Sequence, residues 1–498
     1  MNKINSGREY TRFGWQIGLI LAANILSMLL GLIRLPILAK GLGADLYGTW
    51  SLLNVTISLI TPFALVGLHM GVVRFLSAEK DNSRIREDFF SIFSVVFVLG
   101  TALAVILILL SDQLAVSVFK DIEASSYIKL ASVIILLNAS LTLSLSLFRA
   151  FRKIGLYTAI GLMQGVLQVG LMALFISLGY ELGGVIAAFI ISGLLFNLTA
   201  LIIILKQRGF RLPHFSRIRQ YLEFSVPLTP NVAIMWIINV SDRYIISYFM
   251  SIADAGIYNA AYSIGGYASF LMMPVVIVLY PTISKLYDEG KLDETRSYLS
   301  YSVKYFFMIA IPAAFGLSIL AEPLLRIFAT EEFVSGAVVV PFIAFGAIFN
   351  SLHPIGQYII MLAKKTKLLV LLLSASAAVN VVLNFVLIPG MGLLGAAVAT
   401  LVAYALLGFS TLLISRRYLK FNLNPLFLLK STAASAVMAL CVWLIDPHSL
   451  AWLLTSIAIG AVIYFGVLLA LRGLSRGEIK FFANLLIGSL NKIKGNMS

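Results

Sequence analysis

Three ionic side chains stand where the surrounding sequence offers them no water. Arg34, Asp242 and Arg243 each lie within a run of apolar residues long enough to cross a bilayer. An ionisable group at such a depth is costly, and it marks a buried partner or a function. Arg34 ends a stripe on one helical face that also holds Asn24, Ser27 and Gly31, at spacings of 3, 4 and 3. Asn54, Ser58 and Thr61 make a second stripe above Pro62. A third begins in Ser225-Val-Pro227-Leu-Thr-Pro230 and carries Asn231, Asn239 and the Asp242–Arg243 pair; Tyr258, Tyr262 and Ser269 follow on the next run.

The donor fork of a guanidinium suits phosphate, so Arg34 and Arg243, 209 positions apart, are candidates for a cationic cleft that takes an anionic group. The plainer alternative is that each arginine snorkels to a membrane interface and Asp242 pairs with a neighbour. Arg74, Arg149 and Lys304 stand at the ends of runs. They are expected first as orientation signals and only second as contributors to the cleft. His69 reads as a packed polar residue before it reads as a proton carrier.

Other chemistries are excluded by what the spacing lacks. Cys441 is the single cysteine, so there is neither a disulfide framework nor a CxxC site. The four histidines, His69, His214, His353 and His448, include no i, i+4 pair of the kind a helical zinc site needs. Gly290-Lys291 is followed by Leu292, so no phosphate-cradling P-loop forms there. No metal, cofactor or catalytic residue is expected, and the chain does not read as an enzyme. Its work must draw on an ion gradient, a substrate gradient or a partner.

The elements that position these residues follow from composition. Of 498 residues 60% are hydrophobic and 12% charged, with a mean hydropathy of +0.97, where a soluble domain keeps about a quarter charged. A span needs about 20 apolar residues. Fourteen such runs lie near 15–38, 46–71, 89–110, 127–148, 155–178, 183–205, 224–250, 255–280, 301–321, 333–362, 368–388, 393–415, 425–445 and 451–471. The fold class is therefore an all-α integral membrane protein of about fourteen transmembrane helices.

With both termini inside, 31 of the 37 basic residues fall on the inner side and four outside, leaving Arg34 and Arg243 in the membrane. The acids divide 11 inside and 10 outside, with Asp242 embedded, so the inside nets +20 and the outside −6. This asymmetry is the one that orients multi-pass chains, and it accounts for the +15 net charge without nucleic-acid binding.

Two copies of one pattern are present. Gly43-Ala-Asp-Leu-Tyr47 and Ala255-Gly-Ile-Tyr258 open the second and eighth runs 211 apart, and Gly183-Gly-Val-Ile-Ala-Ala188 falls on Gly395-Ala-Ala-Val-Ala-Thr400 at an offset of 212. Six runs separate the copies, so both insert the same way up, as a parallel repeat about the membrane normal. The expected organisation is an N-terminal lobe at 1–205, a cytoplasmic linker at 206–221 and a C-terminal lobe at 222–415. Two further spans at 425–471 and a tail at 472–498 complete it. In the tail, Ile479, Phe482, Leu486, Leu490 and Ile493 recur at helical spacing and suit an amphipathic helix on the inner leaflet.

Leu32-Ile-Arg34-Leu-Pro-Ile-Leu-Ala-Lys-Gly-Leu-Gly43-Ala-Asp-Leu-Tyr47-Gly48 resembles the first loop of the bacterial and archaeal polysaccharide flippases. Asp242-Arg243-Tyr-Ile-Ile-Ser-Tyr with Ala255-Gly256-Ile-Tyr258-Asn-Ala-Ala-Tyr resembles their seventh and eighth helices. Leu279-Tyr-Pro281-Thr-Ile-Ser-Lys-Leu and Ile388-Pro389-Gly-Met-Gly-Leu-Leu-Gly395-Ala-Ala-Val-Ala-Thr400 match later signatures. The chain is similar to the Wzx-type branch of the multidrug/oligosaccharidyl-lipid/polysaccharide exporter superfamily. The resemblance implies two six-helix lobes plus two helices, and flipping of a polyprenyl-pyrophosphate-linked oligosaccharide across the cytoplasmic membrane for cell-surface polysaccharide or O-antigen export. It implies as partners the lipid-linked glycan, membrane lipids and a glycan polymerase or export machinery, with coupling to H+ or Na+ often proposed. A drug or cation exporter or a lipid II flippase of the same superfamily remains an alternative, with a membrane polysaccharide polymerase more distant.

Overall fold

The computed structural model describes residues 2–480 and Asn484. Among them every regular element is helical, as hydrocarbon requires when no water is present to satisfy a backbone N–H or C=O. In chain order the long elements are α1 (Asn2–Leu65), α2 (Asn82–Leu109), α3 (Ala124–Ala150), α4 (Ile154–Ser177) and α5 (Glu181–Arg208). Next come α6 (Thr229–Val240), α7 (Asp242–Phe249), α8 (Ile252–Phe270), α9 (Met273–Asp288), α10 (Leu292–Ile319), α11 (Val339–Asn350) and α12 (Leu352–Leu362). The last are α13 (Thr366–Met391), α14 (Leu393–Ser415), α15 (Pro425–Trp443) and α16 (Leu450–Ala470). The amphipathic helix expected in the tail at 472–498 lies, past Lys480 and apart from Asn484, outside the described residues.

Twelve helices among the described residues are long and apolar enough to span a membrane. The first two expected runs share α1, which turns sharply at Gly43 (φ 70°, ψ 177°), a backbone conformation open to glycine. The seventh run is divided. Pro227 and Pro230 lack the N–H that a continuing helix would use, and a 3-10 turn at Val226–Leu228 precedes α6. The break between α6 and α7 falls at Ser241, whose hydroxyl and N–H both donate to the Ile237 carbonyl, at 2.6 and 3.3 Å. The same local bond ties down Thr56 (to Leu52, 2.7 Å) and Thr61 (to Ile57, 2.7 Å), which makes polar residues tolerable in a span.

The chain gathers into two compact units. The first comprises residues 1–263, 328–339 and 366–407. Within it α1 and α8 cross at backbone contact. A Cβ on Gly48 would lie 2.0 Å from the Ile252 carbonyl oxygen, and one on Gly256 2.6 Å from that of Ala44. Asn259 donates to the Tyr47 hydroxyl at 3.2 Å, the Ala44 N–H donates to Glu332 at 3.1 Å, and the Tyr47 ring meets Phe333 edge-on at 5.7 Å. The two copies of the repeated motif thus close on each other. The segment after α5 is also anchored: Arg217 pairs with Glu79 (3.2 Å) and Asp88 (3.0 Å), and Tyr221 donates to Asp88 at 2.9 Å.

The second unit comprises residues 264–327, 340–365 and 408–498. Here α10 is held by α16 through Tyr464, which donates to the Met308 carbonyl at 2.8 Å and shares a 2.8 Å bond with Ser431 of α15. His353 is bonded through Nδ1 to Thr411 at 2.9 Å. Lys304 donates twice to the buried Glu478 carboxylate, at 2.6 and 2.8 Å, and the Ser475 N–H adds a bond of 2.8 Å. Burial alone pushes the Glu478 carboxyl up, but the bonds from Lys304 and Ser475 outweigh it and hold the group below its ordinary value. That clasp contributes fully above the ordinary carboxylate range and is lost as pH falls through the depressed value.

Candidate functional site

In the first unit the α6–α7 break sets two adjacent charges into the protein interior. Asp242 is 1% and Arg243 2% exposed, and the Arg243 Nη1 lies 2.6 Å from Asp242 Oδ1. The same nitrogen donates to the Asn239 carbonyl at 2.6 Å, and the guanidinium lies over the Tyr262 ring at 4.0 Å and the Tyr258 ring at 5.3 Å. Asp242 Oδ2 accepts from the Tyr258 hydroxyl at 2.6 Å and from Thr400 at 3.4 Å. One step further, Tyr404 donates to Asn239 Oδ1 at 2.7 Å and shares a 2.7 Å bond with Tyr262. Four helices, α6, α7, α8 and α14, therefore meet in one polar network. A buried ion pair needs partners for its remaining lone pairs and protons; most are met here, while Arg243 Nε has no hydrogen-bond partner among the described residues.

Arg34 is placed differently. It is partly buried on α1, donates to Gln168 of α4 at 3.3 Å, and lies 5.8 Å from the ring of Phe189 on α5. On the same face Asn24 and Ser27 line a cavity of about 150 Å³ with Tyr157 and Thr158. Asn54 is exposed and Asn231 partly buried. Ser58, also exposed, accepts from Trp236 of α6 at 3.0 Å, and Thr56 bonds to Tyr244 of α7 at 2.5 Å. The part of α1 after Gly43 is thus bonded to α6 and α7 within one unit.

The remaining candidates scatter. His69 lines a cavity of about 190 Å³ with Thr229 and Val232. Arg74 stacks on Phe224 at 4.5 Å, and Arg149 donates to Ser146 at 2.8 Å. Lys304 belongs to the second unit and to Glu478. Its neighbour there is the Phe427 ring, 5.0 Å away.

Sequence reading passed over several members of this assembly. Thr400 and Tyr404 lie 158 and 165 positions from the partners they bond, and no spacing rule reaches that far. Asn380 and Asn384 had a signal, two amides one helical turn apart in an apolar run. Both are fully buried in α13, with Asn384 donating to Asn380 at 3.1 Å.

Three comparisons bear on this arrangement. A family model described as polysaccharide biosynthesis protein matches residues 37–338. The chain is similar to a probable low-salt glycan biosynthesis flippase of Haloferax volcanii, at 22% identity over 386 residues, 77% of this chain and 79% of that one. Among solved structures, the lipid II flippase MurJ in an inward closed conformation superposes with a TM-score of 0.73 at 19% identity, covering 90% of this chain and 97% of that one. An inward-facing multidrug resistance MATE family transporter of the MOP superfamily gives 0.68 at 14%, covering 78% and 94%. The structural likenesses establish a shared helical fold.

The geometry predicts an ordered set of stability losses. Tyr258→Phe removes a donor from a buried carboxylate and should cost about 1–2 kcal/mol, read as a lower thermal unfolding midpoint in detergent. Tyr248→Phe, at a ring 65% exposed, should leave the midpoint in place. Equal midpoints for both variants would show that the Tyr258 hydroxyl does not support Asp242.

Proposed function

We propose that this chain, which belongs to the polysaccharide biosynthesis protein family, is a transporter that carries a lipid-linked glycan with a phosphate or pyrophosphate link from the inner to the outer leaflet of the cell membrane by alternating access. Two facts taken together carry the reading. The family match covers the stretch that holds Asn54, Asp242, Arg243 and Tyr258, and the charges embedded in the spans are two arginines against one aspartate. A cationic balance favours an anionic cargo, where an exporter of organic cations would want embedded acids.

The roles divide by geometry. Arg34, with Asn24 and Asn54 on α1 and Asn231 on α6, meets the anionic link and the first sugars. Arg243 acts through Asp242: it holds the carboxylate that Tyr258 and Thr400 bind, and with it the angle between α7 and α8. The chain itself makes and breaks no bond in the glycan. A glycan polymerase or export machinery would take the cargo on the outer side.

A transport assay tests the substrate reading: translocation of a fluorescent lipid-linked oligosaccharide in proteoliposomes at matched insertion. Wild-type protein should move it, and Arg34→Ala should slow it roughly tenfold or more, since loss of a charge-assisted bond of about 1.5 kcal/mol or more corresponds to at least that factor. Arg34→Lys should recover part of the rate, because a point charge replaces a fork. An unchanged rate in Arg34→Ala would remove that residue from the cargo path, and an inert wild-type protein that moves an organic cation instead would replace the function.

Orientation is tested separately. With both termini cytoplasmic, a cysteine at Ser216 in a Cys441→Ser background should resist a membrane-impermeant thiol reagent on whole cells. Cysteines at Ser126 and Ser449, both exposed, should react. Labelling of the Ser216 position from outside would invert the topology.

A further inference from the structure

The second unit carries a basic recess that plays no part in the cargo path proposed above. It measures about 650 Å³ and is lined by the ends of α10, α14 and α15 and by the segment after α16. Arg296, Lys304, Arg416 and Lys420 contribute four cations to its wall and Glu478 one anion. Glu478 is already bound by Lys304 at 2.6 Å, and Arg296 donates to Asp293 at 2.8 Å on the surface. Arg416 and Lys420 are exposed and pair with no carboxylate among the described residues. Two of the four cations, Arg416 and Lys420, are therefore left on a concave, solvated wall without a counter-anion among the described residues.

Two further features define what would fill it. The recess abuts the N-terminus of α15, a 19-residue helix capped by the Asn424 side chain, whose dipole adds positive potential at that end. Directly along the same helix stand Leu426 and Leu429, 60% and 67% exposed, and the recess wall includes the Tyr301 ring, 52% exposed. Neither leucine is part of the recess wall, but both stand within about two helical turns of Asn424, which is. Basic residues placed only to orient a helix need no such recess, and a soluble anion would make no use of the leucines.

We propose that this recess binds the phosphate headgroup of an anionic membrane lipid, with Arg416 and Lys420 on the phosphate and the acyl chains along Leu426 and Leu429. Such basic pockets between membrane helices suit anionic lipid headgroups on electrostatic grounds. The site is distinct from the one assigned to the transported glycan lipid, and it holds whether or not that assignment does.

The test is lipid binding to the purified, delipidated full chain, followed by native mass spectrometry with dioleoyl phosphatidylglycerol, dioleoyl phosphatidylcholine and inorganic phosphate as probes. Wild-type protein should retain phosphatidylglycerol in preference to phosphatidylcholine. The Arg416→Ala/Lys420→Ala variant should bind phosphatidylglycerol roughly tenfold more weakly or worse, in proportion to two lost surface cations. Lys285→Ala/Lys291→Ala, which removes the same charge from outside the recess, should bind as wild type. Lys420→Glu alone, at an exposed position, gives the same reading if the double variant fails to fold. Equal binding by the recess and control variants, or equal retention of the two lipids, would overturn the proposal. Displacement of phosphatidylglycerol by inorganic phosphate at comparable concentration would assign the recess to free phosphate and overturn the lipid assignment.

Discussion

A carboxylate and a guanidinium 2.6 Å apart, 1% and 2% exposed, set a constraint that the surrounding helices must meet together. Neither charge can be left without its partner at that depth, because breaking a buried pair strands an uncompensated ion at a cost of about 3–5 kcal/mol. Asp242 and Arg243 sit side by side at the start of α7, and satisfying both fixes what must surround them. Tyr258 comes from α8, Thr400 and Tyr404 from α14, and the Asn239 carbonyl from the end of α6. The aromatic faces of Tyr258 and Tyr262 add cation–π attraction to the same guanidinium. The positions of four helices thus follow from one local requirement.

The consequence reaches α1. Because α8 is oriented by Tyr258, its Gly256 lies against the α1 backbone at Ala44, and Gly48 lies against Ile252. Neither approach has room for a side chain. A shift of α8 relative to α7 therefore bears directly on the α1–α8 contact.

Much of this was legible in the residues. Apolar run length located most of the spans, because the backbone has no choice but helix in hydrocarbon; the eighth run, 255–280, is instead divided between α8 and α9. The embedded Asp242–Arg243 pair stands out in the sequence as a charge out of place, and the repeat marks Tyr47 and Tyr258, whose motifs meet in the fold. What the sequence hid was of two kinds. Partners far along the chain, Thr400 and Tyr404, carry no mark that ties them to Asp242 and Asn239. Helix breaks were the other: the seventh run reads as one continuous span, yet it divides at Val226–Leu228 and again at Ser241. The pairing of Lys304 with Glu478, 174 positions apart, belongs with the first kind; the sequence alone offers Lys304 as an orientation signal first and a cleft contributor second.

The central claim is that Arg243 serves the cargo path by holding Asp242, and that the contact with the anionic link lies elsewhere on the polar faces. Translocation of a fluorescent lipid-linked oligosaccharide by the Asp242→Asn/Arg243→Gln double variant, at matched insertion, measures this most directly. The double variant removes both charges together, so it should regain much of the transport that Arg243→Gln alone loses. A correctly inserted double variant as inactive as the single one would contradict the account and place Arg243 on the cargo.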